Sequence, residues 1–343
     1  MALIKNPKDR ILELDVLRGL AALGVLCHHY TTNYTACYSP PTPVPFQCPW
    51  GGDGVQLFFM ISGFVILMTL EKTRTLLDFL VSRFSRLYPG YWAALALTFS
   101  AVYLFHLPGR ETSVRDAVIN ISMLQDWFGV PRVDYSYWTL TVELSFYVVM
   151  ALLFKTRMLK HIEILGFLWL IFMVFNIRVL LLAMHFHVPG WIKATGLLRY
   201  GDLFFAGVLF YNLKTKGHRW YRHLLLLMCL AVQYIFRREI DPLVVAGFFF
   251  IFYLFVYGKL SWIINKPTVF LGTISYSLYL IHQNIGFIIM NHLYSLHLNT
   301  WLVFLIPTCV SILLASAITF GIEKPAMSFI RERYKALIKA KAS

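Results

Sequence analysis

Apolar stretches long enough, or nearly so, to cross a bilayer follow one another along all 343 residues. That succession leaves little but a membrane helix bundle, because a backbone in lipid must satisfy its own hydrogen bonds. The stretches lie near 11–31, 54–70, 89–107, 136–154, 162–184, 196–213, 223–236, 242–258, 268–292 and 300–322. The seventh and eighth are short or loosely bounded, so the segmentation admits nine to eleven spans around a best reading of ten. The composition agrees: 58% hydrophobic and 14% charged, against about 45–50% and about 25% in soluble domains. The expectation is an all-α, polytopic bundle of about ten transmembrane helices with a polar interior channel. It forms a single membrane-embedded domain over 1–343, with its core at 11–327 and a basic cytoplasmic tail at 328–343.

Charge orients the bundle. Of 31 Lys and Arg, 22 fall in the stretches 1–10, 71–88, 155–160, 214–222, 259–266 and 324–341. Seven fall on the opposite side, and only Arg18 and Arg178 lie inside spans. The positive-inside rule then places both termini in the cytoplasm. No cleavable signal is evident, since the first segment continues as a polar-studded helix. The net charge of +14 does not indicate nucleic acid, because insertion and anionic headgroups already account for short basic loops.

The first segment, ILELDVLRGLAALGVLCHHY, carries the most unusual residues. Arg18 and His29 are eleven positions apart, which on a helix returns within about 20° of one azimuth and about 16 Å along the axis. One face would hold a fixed cation and, higher up, a titratable base. Such groups are costly in a bilayer unless they face a cavity or a partner, so they mark function by default. His28 points about 80° away and is the weaker candidate.

Further polar groups recur in the later spans. In GGDGVQLFFMISGFVI, Ser62 and Gly63 are read first as small residues for close packing. In SRFSRLYPGYW, Arg83 and Arg86 lie one turn apart, either as a headgroup anchor beside Tyr88, Tyr91 and Trp92 or as a phosphate clamp. In YWTLTVELSFY, Glu143 must be paired, protonated or wet. It can neutralise Arg18 or Arg178, or orient a histidine. In LGTISYSLYLIHQ, Ser275, Tyr276, Ser277, Tyr279 and His282 either line a cavity or bond between helices. In FGIEKPAM, Glu323, Lys324 and Pro325 read as a helix stop. The proline-rich stretch 31–53 carries Cys37 and Cys48, for which a disulfide and two free thiols are both open. Cys and His spacing gives no metal site.

The ordered set resembles the acyltransferase 3 family, multispanning membrane O-acyltransferases of bacterial surface glycans, from about residue 11 to 327. The family's arginine-and-histidine pattern falls on Arg18 and His29, its paired arginines before Tyr-Pro on Arg83 and Arg86, and its tryptophan-to-glutamate motif on Trp138 and Glu143. Thr139 replaces the usual serine of that motif. The family's aspartate after Gly-Val is replaced by Gln56, with Asp53 three residues earlier. The extra soluble domain that some members append is not expected here.

The resemblance implies transfer of an acyl group, most simply acetyl, from cytoplasmic acyl-CoA to an outward-facing or lipid-linked sugar hydroxyl. His29 would act as general base, Arg18 would position the donor or stabilise the oxyanion, and Glu143 would orient His29 or balance Arg18. Arg83, Arg86 and Tyr88 would bind acyl-CoA. Asp15, Asp53, Gln56, Ser62, Trp138, Arg178, Ser275, Tyr276, Tyr279 and His282 would line the channel. Acyl-CoA enters as co-substrate with no permanently bound cofactor, and the expected location is the bacterial inner membrane. A homo-oligomer is compatible with the sequence. The rival readings are a transporter or flippase for a glycan or small molecule, with the same groups lining a pathway, and a structural subunit of a polysaccharide assembly complex.

Overall fold

The computed structural model describes residues 11–175, 195–236 and 241–342, and among these every regular element is helical. Helix α1 (Leu12–His28) continues through a π-helical turn (His29–Asn33) into α2 (Tyr34–Tyr38). Then follow α3 (Gly54–Glu71), α4 (Leu76–Phe105), α5 (Val114–Asn120), α6 (Trp138–Lys155) and α7 (Ile162–Phe175). The remainder are α8 (Leu197–Lys216), α9 (Trp220–Phe236), α10 (Pro242–Val256), α11 (Lys266–Ser295), α12 (Thr300–Ile318) and α13 (Lys324–Ala342), the last two joined by a π-helical turn (Thr319–Glu323).

Two crossings of bare backbone organise the bundle. Gly19 of α1 meets Gly272 of α11 so closely that a Cβ on Gly272 would stand 2.2 Å from the Asp15 carbonyl oxygen. Gly63 of α3 and Gly207 of α8 do the same, each Cβ falling 2.0 Å from a carbonyl on the facing helix. Small residues permit this approach, and dispersion between the backbones then holds helices that lipid would not drive together. The packing role expected of Gly63 is thus what the structure shows. Helix α11 lies at the centre of one half, against α1, α4 and α12, while α3 and α8 anchor the other. Helix α8 is buried on all sides from Tyr200 to Leu213.

Four helical stretches have the length and hydropathy to cross a membrane: Pro49–Glu71, Tyr135–Lys155, Met158–Phe175 and Thr300–Ala340. The expected count of about ten is therefore not reproduced by these criteria among the described residues. Helix α1 carries Glu13, Asp15 and Arg18, and α4 and α11 run for 30 residues each with many polar groups, so a test of apolar character does not register them. Lipid-type exposure is plain on α7, where Ile164, Leu168, Ile171 and Phe172 stand open.

Three local expectations change. Helix α4 begins at Leu76, well before the span expected at 89–107, with Pro89 in its interior, and it carries Arg83 and Arg86 one helical turn apart as expected. Its start is fixed by a capping box between Thr75 and Asp78. The chain after His29 stays helical to Tyr38 and stops at Ser39, which is left-handed at φ 43° before Pro40 and Pro41. The basic tail is helical and docks on α4 through Tyr334, whose hydroxyl donates to Asp78 Oδ1 at 2.8 Å.

Candidate functional site

Helices α1, α3, α4, α6 and α11 enclose a cavity of about 100 Å³. Its polar lining comes from Arg18, Ser62, Arg83, Arg86, Thr139, Glu143, Tyr147, Ser275, Tyr276 and Tyr279. Groups as distant in sequence as Arg18 and Tyr279 meet here because the Gly19–Gly272 crossing holds α1 against α11. Glu143 Oε1 accepts from the Ser62 hydroxyl at 2.7 Å and from Tyr147 at 2.6 Å. Arg18 lies 3.6 Å from Asp15 one turn back on α1. Across the cavity, two arginine side chains differ in their partners. Arg86 is ion-paired with Glu323 and lies over the Tyr276 ring. Glu323 is only 1% exposed and also accepts from Ser277 at 2.9 Å. Arg83 meets the Ser82 hydroxyl at 3.2 Å and the rings of Phe79 and Tyr147 at 6.0 Å, and its Nε is buried without a hydrogen bond.

His29 is not on this lining. Its Nδ1 is 2.7 Å from Nε2 of His282, which is fully buried and whose own Nδ1 lies 2.8 Å from the Tyr279 carbonyl oxygen. His29 itself keeps accessible surface. Below the pair, the Tyr279 hydroxyl donates to the Ser136 carbonyl and accepts from Thr139, both at 3.0 Å. Beyond it, a second recess of about 430 Å³ is bordered by Arg110, Asp126, Arg132, Tyr135 and Asn284. Tyr279 and Asn284 border the two spaces from the same helix, five residues or about 7.5 Å apart, with His282 between them. In place of the continuous channel expected from the sequence there are two recesses, set apart along α11 by the turn from Tyr279 to His282, whose ring meets His29.

The remaining expected residues divide. Ser62, Ser275, Tyr276 and Tyr279 line the inner cavity, as Arg18, Arg83, Arg86 and Glu143 do. Tyr88 does not. It stacks on Phe84 and donates to the Ser122 carbonyl at 3.0 Å, tying α4 to the loop after α5. Trp138 packs on Phe59 and Tyr200. Gln56 is buried with its amide oxygen unpartnered, and Asp53 lies beside Asp241. None of these four reaches the cavity. Arg178 falls outside the described residues. His28 bonds the Cys48 carbonyl oxygen at 3.1 Å and so holds the loop before α3. Cys37 and Cys48 are free thiols. Helix α2 carries Cys37 to within 3.7 Å of Arg110, while Cys48 packs at the Gly24–Gly51 contact. Among the described residues no His, Cys, Asp and Glu group is arranged to hold a metal.

Sequence reasoning missed two carboxylates. Glu323 read as part of a helix stop, yet it is the buried counter-ion of Arg86. Asp134 is fully buried just before α6 and accepts from the Ser136 and Asn284 backbone N–H groups at 2.9 and 3.1 Å, fixing α11 to the loop. An acidic residue directly after a long apolar run was the available signal for Glu323.

The sequence profile of the acyltransferase domain, acyltransferase 3, matches residues 11–320. ORF330 of Acidianus two-tailed virus, assigned as an acetyltransferase, is 26% identical over 288 residues, covering 81% of this chain and 83% of that protein. The acyltransferase MdmB of Streptomyces mycarofaciens is 26% identical over 171 residues, covering 47% of this chain and 43% of its own. The peptidoglycan O-acetyltransferase OatA of Listeria monocytogenes is 25% identical over 154 residues, covering 40% and 23% respectively. The matched parts thus span less than half of MdmB and under a quarter of OatA. No solved structure matches the chain. With 11–320 matched, nearly the whole length, the chain belongs to the acyltransferase 3 family.

Proposed function

We propose that this protein is a membrane O-acyltransferase that moves an acyl group, most simply acetyl, from acyl-CoA to a hydroxyl of an outward-facing or lipid-linked sugar. The observation that carries the reading is that His282, bonded to His29, lies on α11 between Tyr279 of an arginine-lined cavity and Asn284 of a separate recess. Two substrates that arrive from opposite sides of a membrane need that arrangement. The donor comes to the Arg18 end of the bundle, where the basic loops place the cytoplasm, and the acceptor comes to the recess beside Asn284.

His29 takes the proton of the acceptor hydroxyl as its oxygen attacks the thioester carbonyl. Arg18 lies on the donor side, about 16 Å along α1 from His29, where its fixed charge positions the donor in the cavity. Glu143 limits the net positive charge of the cavity and holds Ser62 and Tyr147 in place. For the phosphates of coenzyme A, Arg83 is the better-disposed arginine. The guanidinium of Arg86 is already engaged by Glu323, whereas Arg83 has an unspent donor.

Removal of this protein from its host, with the surface glycan compared by mass and NMR, should show the loss of one ester. An unchanged glycan would count against the reading. Arg83→Ala should raise the KM for acyl-CoA by about 10- to 100-fold, the loss of one charged hydrogen bond, and leave the acceptor KM in place. An unchanged donor KM would return Arg83 to the role of a headgroup anchor.

A further inference from the structure

We infer that His282 is a positioning residue that holds His29 in the one neutral tautomer able to act as a base toward the acceptor, an inference that rests on the reading of His29 as that base. The argument follows the protons. A carbonyl oxygen can only accept, so the Nδ1 of His282, 2.8 Å from the Tyr279 carbonyl, carries the hydrogen. A neutral imidazole has one N–H, which leaves His282 Nε2 as a lone pair. The only hydrogen bond available across the 2.7 Å to His29 Nδ1 then has His29 donating. His29 therefore carries its hydrogen on Nδ1, and its Nε2 is the free, basic nitrogen. The hydrogen on one ring nitrogen is set by the bond the other makes.

Burial enforces the order. His282 is fully buried on α11, whereas His29 keeps accessible surface at the start of the π-helical turn. The Tyr30 hydroxyl donates to the His282 backbone carbonyl at 2.7 Å and so fixes α11 against that turn. The titratable and charged groups facing the pair are His28, whose ring centroid is 5.5 Å from that of His29, then Tyr30, Tyr279, Arg110 and Asp134.

The step balances as follows. The acceptor O–H proton passes to His29 Nε2, the hydroxyl oxygen bonds the acyl carbon, and the C–S bond breaks with its electron pair on sulfur. The imidazolium returns its proton to that thiolate, which leaves as the free thiol of coenzyme A. Throughout, Nδ1–H of His29 stays on His282, which stabilises the positive ring without itself taking a proton.

The direct test is nitrogen-15 NMR of the full-length protein in detergent micelles, labelled at histidine and assigned by the loss of the His29 signal in His29→Ala. At neutral pH, His29 should show a protonated Nδ1 and an unprotonated Nε2; the opposite pattern overturns the inference. A kinetic arm uses labelled acetyl-CoA with an extract of the host's surface glycan as acceptor. His282→Leu, near in volume but without an acceptor, should lower kcat by about 100-fold or more at unchanged KM for acetyl-CoA. His282→Gln places a carbonyl oxygen near the lost Nε2 and should recover much of that loss. Should the leucine variant fail to fold, the NMR pattern of the unmodified protein still decides. Loss of activity in His29→Ala with full kcat in His282→Leu sinks this inference alone. Activity in His29→Ala sinks the base reading, and this inference with it.

Discussion

His29→Ala should leave a protein of normal membrane abundance in which ester formation has fallen to background. The expected loss is about 10²- to 10⁴-fold, the usual contribution of a positioned general base. The fold should survive because the ring of His29 is half-buried and its hydrogen bonds are to the His282 ring and to the Val25 backbone one turn back on its own helix. The packing that joins α1 to α11 runs instead through Gly19 and Gly272, ten residues earlier on α1. A transporter or a scaffold would not depend on this imidazole in the same way. Such a protein would keep the glycan modified in the alanine variant, and that result would remove His29 from the chemistry.

The second large effect concerns Arg86 and Glu323, and it should be asymmetric. Arg86→Ala strands a carboxylate that is 1% exposed and whose remaining short bond is to the Ser277 hydroxyl. Breaking a buried pair from this side costs about 3–5 kcal/mol, because the surviving charge cannot reach water. Glu323→Ala leaves an arginine that is 30% exposed and opens onto the cavity, so its loss of stability should be clearly smaller. Thermal unfolding of both variants in the same detergent checks the order. Equal losses would mean that Glu323 is hydrated in the membrane and that the pair is not the clamp between α4 and the turn before α13. For the same reason Arg83→Ala is the cleaner probe of donor binding, since Arg86→Ala perturbs folding as well.

How much of this was legible in the sequence depends on the range of the interaction. The azimuth argument linking Arg18 and His29 needs a regular helix between them, and α1 is regular to His28 before the π-helical turn begins. The polar character of α6 and α11 was visible because Glu143, Tyr279 and His282 are conspicuous against leucine and phenylalanine. What each touches was not visible. His282 lies 253 positions from His29 and Glu323 lies 237 from Arg86, and periodicity carries no information across such distances. Glu143 illustrates the limit: a pairing with arginine or a bond to histidine was expected, whereas its short bonds are to Ser62 and Tyr147. Tyr88 was grouped with the arginines by adjacency, yet two residues along a helix turn a side chain by about 200°, and it faces the loop instead. The extent of α4 was hidden by Pro89, a residue that normally interrupts a helix. Here the neighbouring turn is held from outside, by Tyr276 donating to the Leu87 carbonyl at 2.9 Å.

Sided transfer in proteoliposomes tests the central claim most directly. Purified protein is reconstituted with acetyl-labelled acetyl-CoA on the side of the basic loops and the host's glycan extract on the other. The account predicts an alkali-labile labelled ester on the sugar, absent with His29→Ala. Sugar that crosses the bilayer without ever acquiring label would contradict it.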